Sequence, residues 1–327
     1  MLTRRHALTL AATAPVALVA KPGSAATVLA APTVKAPPGF RVPPGATDCH
    51  VHVVMPDQVA FPLYDKRVYT PPPATPQQLL DFQHALHMDH VVIVTPSFYG
   101  TDNRATLAGI KALGPRRARG IAVIGESTTA AELDAMARAG IRGVRMNLET
   151  TGITDPGASG RQIDAMVARI AGRPWHLQIY TRLSVIAALK DKLASLPVPV
   201  VFDHFAGAEA AKGPQQPGFD TVLDLVKAGK AYVKISGSYR ASKAPGYVDV
   251  QPLAQALIAA NPDRLVWGSD WPHTNSDQGT ARKATDIAPP YDIDDGAVLN
   301  LLAAWAPDAA LRKRILVENP RRLYGFT

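Results

Sequence analysis

Eight short apolar runs rich in Val and Ile, interleaved with stretches of helical spacing, constrain this chain more than any other feature. They predict strands at Ala46–His52, His90–Thr95, Gly120–Ile124, Ile141–Met146, Trp175–Tyr180, Val198–Asp203, Ala231–Ser236 and Leu265–Ser269. Their lack of strict alternation is the pattern of parallel strands buried on both faces. Between them, Pro76–His87, Thr129–Ala139, Gln162–Ile170, Leu183–Leu196, Phe219–Ala228 and Pro252–Ala259 return apolar residues every three or four positions, as amphipathic helices do. Strands interleaved with helices in this way predict one α/β domain, a (β/α)₈ TIM barrel over residues 46–327, in preference to an open doubly wound sheet. No glycine-rich phosphate loop follows an early strand, so a nucleotide-binding role is disfavoured. Pro71-Pro72-Pro73 and the stretch Thr274–Asp295 read as long loops over the barrel mouth, where they would shape substrate choice.

The first 26 residues stand apart from this pattern. Thr3-Arg4-Arg5-His6-Ala7-Leu8 carries the paired arginines of a twin-arginine export signal, Leu8 through Ala20 is apolar and uncharged, and Ser24-Ala25-Ala26 offers small residues for cleavage. The expectation is an exported, periplasmic enzyme. The apolar stretch falls short of the ~20 residues of a membrane-spanning helix, so no stable membrane insertion is expected after cleavage. Residues 27–45, rich in Ala and Pro, read as an extended lead-in. Arg4, Arg5 and Lys21 leave with the signal and no acid does, which lowers the formal net charge from +8 to +5. The remaining excess is not clustered with aromatics, which argues against nucleic acid and for a small anionic partner.

Polar residues recur at the C-terminal strand ends, where barrels of this kind carry their chemistry. His50 and His52 end the first strand in Asp48-Cys49-His50-Val51-His52, His204 follows the sixth, and Asp270 follows the eighth in Trp267-Gly268-Ser269-Asp270-Trp271-Pro272-His273. Two-residue alternation sends both early histidines to one face and turns Cys49, the single cysteine, outward toward the helices as a packing residue. Ser97, Arg145, Tyr180 and Arg240 lie on or just beyond four other strands and extend the ring, with His273 as a further candidate. A guanidinium in a barrel mouth requires an anion, and a substrate carboxylate suits its forked donors. His84 and His87 lie on a helix, and His90 and His176 at N-terminal strand ends, so these four fall outside the expected site.

These residues resemble the amidohydrolase-2 branch of the amidohydrolase superfamily. The likeness rests on the motifs above, on Asp203-His204, and on the terminal Glu318-Asn319-Pro320-Arg321-Arg322-Leu323-Tyr324-Gly325-Phe326, and runs from about Ala46 to Phe326. Within that branch, Pro96-Ser97-Phe98-Tyr99-Gly100-Thr101-Asp102-Asn103, Gly143-Val144-Arg145-Met146-Asn147, Gln178-Ile179-Tyr180 and Val233-Lys234-Ile235-Ser236-Gly237-Ser238-Tyr239-Arg240 are similar to lactonases of the 2-pyrone-4,6-dicarboxylate hydrolase type. The resemblance implies a hydrolase that opens an anionic, carboxylated lactone ring. It implies Asp270 as general base, His50, His52 and His204 around the scissile carbonyl, and Arg145, Arg240, Tyr180 and Ser97 as substrate-holding groups. Where the family pattern carries a second arginine six positions past the first, this chain has Thr151, with one hydroxyl donor and no charge. A carboxylated or sulfonated muconolactone, or a sugar-acid lactone, is therefore as good a candidate as the dicarboxylated pyrone.

Three histidines and an aspartate are also the donors of a mononuclear zinc centre, so a zinc-dependent hydrolase or decarboxylase using His50, His52, His204 and Asp270 stays open. Metal-dependent members of the superfamily usually place a lysine or glutamate on strand four and a histidine on strand five. This chain has Arg145 and Tyr180 there, and fixed positive charge opposes a cation. The expectation is a site that requires no cofactor, with zinc as the alternative. A reading from another class is an exported anion-binding protein without turnover. A carboxylate base set among imidazoles speaks against it.

Overall fold

The computed structural model describes residues 31–276 and 282–327. The twin-arginine leader, its cleavage site and the first residues of the lead-in lie outside the described residues. Eight parallel strands follow in sequence order: β1 (Thr47–Val51), β2 (His90–Val94), β3 (Ala118–Ala122), β4 (Ile141–Asn147), β5 (His176–Tyr180), β6 (Val200–Phe202), β7 (Ala231–Ser236) and β8 (Leu265–Gly268). Each pairs with the next, and the ring closes where the chain beyond β8 meets β1. There Asp270 N donates to His50 O and His52 N donates to Trp271 O, both at 2.8 Å. The fold is thus the (β/α)₈ barrel read from the eight apolar runs.

The helices are α1 (Pro76–Ala85), α2 (Arg104–Leu113), α3 (Ala130–Arg138), α4 (Pro156–Ile170), α5 (Leu183–Ala188), α6 (Lys190–Ser195), α7 (Phe219–Lys227), α8 (Ser238–Ala241), α9 (Gln251–Ala260) and α10 (Asp295–Trp305). Thr75 and Thr129 begin α1 and α3 with reciprocal caps, each hydroxyl taking the N–H three residues on while Gln78 or Glu132 reaches back. The run expected as one helix over Leu183–Leu196 breaks at Leu189 into α5 and α6. Helix α2 escaped the periodicity reading. Its Gly109 weakens the helical signal, and a Cβ there would lie 2.9 Å from Ile93 Cδ1 of β2, so any larger residue would have to displace the end of that side chain. Among the described residues no helix is long and apolar enough to cross a membrane.

The expected orientation of Cys49 is corrected. The β1–β2 register shifts between Asp48 and Val51, and this bulge breaks the two-residue alternation. Asp48 faces outward to Gln83 of α1, while Cys49 packs with Val92, Val94, Ile121 and Val266 and with Tyr324 and Phe326 from the C-terminus. Those two aromatics close the end of the barrel opposite the histidines. Asn319 ties the same segment to β8, its amide donating to Pro262 O and Leu265 O at 2.8 Å each.

The lead-in is strapped across the other end. Pro32 O accepts from Trp271 Nε1 at 2.9 Å, and Ala36 N donates to Asp294 Oδ1 at 3.0 Å where α10 begins.

Gly268 ends β8 against β1, and a Cβ there would stand 2.9 Å from both the nitrogen and the Cβ of His50. Backbone atoms cannot yield as a flexible side chain would. Gly268→Ala is therefore expected to destabilise the fold by about 1–3 kcal/mol, the usual scale of overpacking. Chemical denaturation of the variant measures this, and an unchanged midpoint would refute so tight a seam.

Candidate active site

The bulge that turns Cys49 inward also fixes the histidines. Asp48 Oδ1 accepts from Ser269 N at 2.9 Å and His50 N at 3.2 Å, and its Oδ2 accepts from Ser269 Oγ at 2.6 Å and Gln83 Nε2 at 3.1 Å. One buried carboxylate thereby stitches β1, β8 and α1 together behind the site. Burial pushes it up to about 6, against the pull of these donors.

In front of that seam, three imidazoles converge on one oxygen. His52 Nε2, His50 Nε2 and His204 Nε2 lie 3.6, 3.7 and 3.9 Å from Asp270 Oδ1. His50 and Asp270 are fully buried, and among the described residues neither His50 Nε2 nor Asp270 Oδ1 has a hydrogen-bond partner. Asp270 Oδ2 accepts from Tyr239 OH and Arg240 Nε, both at 2.6 Å. Burial works against ionisation of Asp270, but the Arg240 charge, helped by the histidines, outweighs it and holds the carboxyl well below the usual range. The backbone contributes too: Asp270 and His204 adopt left-handed φ values of 68° and 50°, a strain that residues other than glycine accept mainly at functional sites.

Each ring is oriented from behind. His52 Nδ1 lies 2.8 Å from Val94 O, and since a carbonyl only accepts, Nδ1 carries a proton and Nε2 is the nitrogen turned toward the cavity. His204 Nδ1 meets Ser236 Oγ at 3.0 Å. His50 Nδ1 stands 3.3 Å from both Lys234 Nζ and Asp203 Oδ1. Burial lowers His50 well below the ordinary histidine range and pushes His204 down to about 4.

Beneath His50 lies a charged layer absent from the expected site. Asp203 Oδ2 accepts from Arg145 Nε at 2.9 Å and Gln178 Nε2 at 3.0 Å, while Lys234 Nζ donates to Gln178 Oε1 at 2.7 Å. All four side chains are buried. Burial opposes the Asp203 charge, but His50, Lys234 and Arg145 reverse the balance and hold it well below the usual carboxylate range. The sequence signal for this layer was a lysine between Val233 and Ile235 in an otherwise apolar strand, with the parity of Ser236.

Of the expected residues, His52, Ser97, Arg145, Tyr180, His204, Arg240 and Asp270 line one cavity, and His50 stands directly behind it. Tyr69, Pro96, Asn147, Thr150, Thr274 and Ser276 complete the lining among the described residues. Two placements differ from expectation. His273 does not reach the cavity: it is fully buried, and its Nε2 pairs with Asp295 Oδ2 at 2.7 Å because its left-handed backbone turns the ring toward α10. The arginines are not free forks, since each spends its Nε on a protein carboxylate, and of the outer guanidinium nitrogens Arg240 Nη2 already reaches Thr274 O at 3.5 Å. Thr151 contributes no contact to the cavity, its hydroxyl bonding Asn147 O at 2.9 Å.

Among the described residues two groups have donors close enough to hold a metal ion, His50 with His52 and Asp270, and His50 with Asp203 and His204. The donor types fit zinc, and the Val94 carbonyl orients His52 as metal-ligating histidines usually are oriented.

A (β/α)₈ barrel with a His-x-His pair on β1, a histidine after β6 and an aspartate after β8 defines a hydrolase of the amidohydrolase class. Residues 47–326 match the amidohydrolase family model, and the chain belongs to that family. It is 35% identical over 285 residues to a 4-sulfomuconolactone hydrolase of Rhizobium radiobacter, covering 86% of this chain and 90% of that one. To a 2-pyrone-4,6-dicarboxylate hydrolase of Comamonas testosteroni it is 33% identical, covering 85% and 90%. A crystal structure of a probable 2-pyrone-4,6-dicarboxylic acid hydrolase from Acinetobacter baumannii, with citric acid bound, superposes with a TM-score of 0.72 at 28% identity, covering 86% of this chain and all of that one. A more remote amidohydrolase from Burkholderia multivorans, solved with bound zinc, shares the fold at 18% identity, with a TM-score of 0.63 over 86% of this chain and 99% of that one.

The low His204 value carries a stability prediction. From the ordinary 6.5 down to about 4 the unfolded chain takes up a proton that the buried ring refuses. Stability is therefore fully present above pH 6.5 and is lost as pH falls toward 4. Chelator-treated wild type should lose up to about 3 kcal/mol more than His204→Gln across that window. Denaturation midpoints at stepped pH read the difference, and parallel curves would contradict a neutral His204.

Proposed function

We propose that this chain hydrolyses the ester of an anionic lactone. The observation that carries the reading is the meeting of Asp270 Oδ1 with three imidazole nitrogens at 3.6–3.9 Å, beside two arginines with outer nitrogens to spare. Asp270 Oδ1 and His52 Nε2 both accept, so a water placed between them donates one proton to each and turns a lone pair toward the ring carbonyl. Asp270 then takes its proton as general base. Ser236 can donate to Nδ1 of His204, which leaves an N–H at its Nε2 to stabilise the oxyanion. His50 joins it when Lys234 Nζ, and not Asp203 Oδ1, is the partner of its Nδ1 at 3.3 Å. His52 is thus a water-holding acceptor and not a third oxyanion donor. Arg145 and Arg240 hold the substrate carboxylate, and Ser97 and Tyr180 set its orientation. The lactone hydrolases among the relatives support this choice of reaction.

On this reading the reaction requires no metal. Asp270 Oδ2 is already taken by Tyr239 and Arg240, and the Arg240 charge makes the carboxylate a weaker ligand. The orientation of His52 by a carbonyl favours a second reading, in which zinc held by His50, His52, His204 and Asp270 activates the water. The twin-arginine leader supports action in the periplasm.

Asp270→Asn should lower kcat by about 10²–10⁴ while substrate binding changes little, because the amide cannot accept the proton. A panel of carboxylated and sulfonated lactones followed in a pH-stat provides the measurement, and retained turnover in the variant removes Asp270 as base. The same panel after exhaustive chelation separates the two readings. Full activity is expected, whereas loss that zinc restores establishes the metal-dependent one.

A further inference from the structure

The reaction cavity opens sideways into a second cavity of about 390 Å³, with which it shares Thr150, Tyr180, Arg240 and Ser276. Its volume alone suits a small-molecule group, since ligand sites begin near ~300 Å³. Its charge is more telling. Lys243 stands on its rim, three residues after Arg240, with an exposed side chain and no ion-pair partner among the described residues. Among the described residues Glu149 is the only acid in the lining, and Arg182 holds it through bonds of 2.9–3.1 Å from Nε and Nη2. Arg240 in turn is matched by Asp270. Among the described residues one positive charge is left over.

A further cavity on the other side of Tyr180 offers no such excess. Both of its additional cations are matched there, Arg182 by Glu149 and Lys212 by Glu209 at 2.6 Å. Extra bulk could enter either side, but an extra anion is favoured on one.

We propose that the Lys243 cavity is a second anion subsite, which takes a carboxylate or sulfonate of the substrate distant from the group held by Arg145 and Arg240. This rests on the hydrolase reading for its substrate class. The subsite explains how a chain with Thr151 facing its own backbone selects a doubly charged molecule: the second cation comes from the segment after β7 and not from the loop after β4. A lysine suits this place. Its ammonium is a compact point charge on a flexible stem, tolerant of carboxylate or sulfonate geometry where a guanidinium fork is more selective.

Binding of pyridine-2,4-dicarboxylate and pyridine-2-carboxylate, two ring anions that cannot be hydrolysed, tests the subsite by titration calorimetry. In wild type the dianion should bind more tightly. Lys243→Ala should reduce the dianion-to-monoanion preference about tenfold, Lys243→Glu should reduce it further, and Lys243→Arg should keep most of it. A preference unchanged in both Lys243→Ala and Lys243→Glu overturns the subsite, whatever the enzyme turns over. Loss of preference in a protein that opens no lactone leaves the subsite standing and removes the hydrolase reading instead. Circular dichroism of each variant shows that a changed preference is not lost folding.

Discussion

The bonds that close the barrel also aim its reactive carboxylate. Asp270 N donates to His50 O across the β8–β1 seam, and this hydrogen bond completes the ring while fixing the Asp270 backbone beside the histidine pair. The rest of the Trp267–His273 motif follows from that contact. Gly268 lets the two backbones approach, Ser269 gives its N–H and hydroxyl to Asp48, and Trp271 N–H and side chain anchor the turn to Ser269 and to the lead-in. The fold and the candidate site draw on one set of bonds, so a change that loosens the seam also misplaces Asp270.

Charge is distributed around this seam in pairs with one deliberate surplus. A buried ion is tolerated only when matched and hydrogen-bonded. Asp203 answers Arg145 and Lys234, and Asp270 answers Arg240. With His50 and His204 neutral, the cations of the layer nearest the cavity, Arg145, Lys234 and Arg240, exceed its carboxylates, Asp203 and Asp270, by one, while Asp48 lies behind that layer. The outer guanidinium nitrogens belong to side chains whose other edge is already fixed by protein. Holding the Nε side costs the arginines some reach but gives them a set orientation, the kind of preorganisation that favours a bound geometry near attack.

The sequence made legible whatever depends on short-range pattern. Strand positions followed from Val and Ile runs, and the clustering of His50, His52, His204 and Asp270 followed from their places at strand ends. Patterns failed where tertiary contact decides. The β1 bulge reversed Cys49 because alternation assumes an unbroken ladder, and nothing in Asp48-Cys49-His50 announces the Asp48–Ser269 bonds that stabilise it. His273 turned away from the mouth because its partner, Asp295, lies 22 residues on, beyond any local motif. Arg145 and Arg240 were recognisable as anion-seeking, but their first anions proved to be Asp203 and Asp270. Lys234 could have been found as a charge inside an apolar strand. Its role as the cation beneath His50 needed coordinates.

The tautomer of His52 constrains the chemistry most tightly. Val94 O can only accept, so Nδ1 keeps a proton, and Nε2 faces the ionised Asp270 Oδ1 across 3.6 Å. A proton on Nε2 makes this contact an ion pair; without one, the two acceptors repel unless a water or a cation lies between them. Water and zinc meet the same requirement and compete for the same atoms. Arg240 at 2.6 Å from the other oxygen of Asp270 keeps the carboxylate ionised and draws electron density from it, which weakens it as a metal ligand and as a base alike.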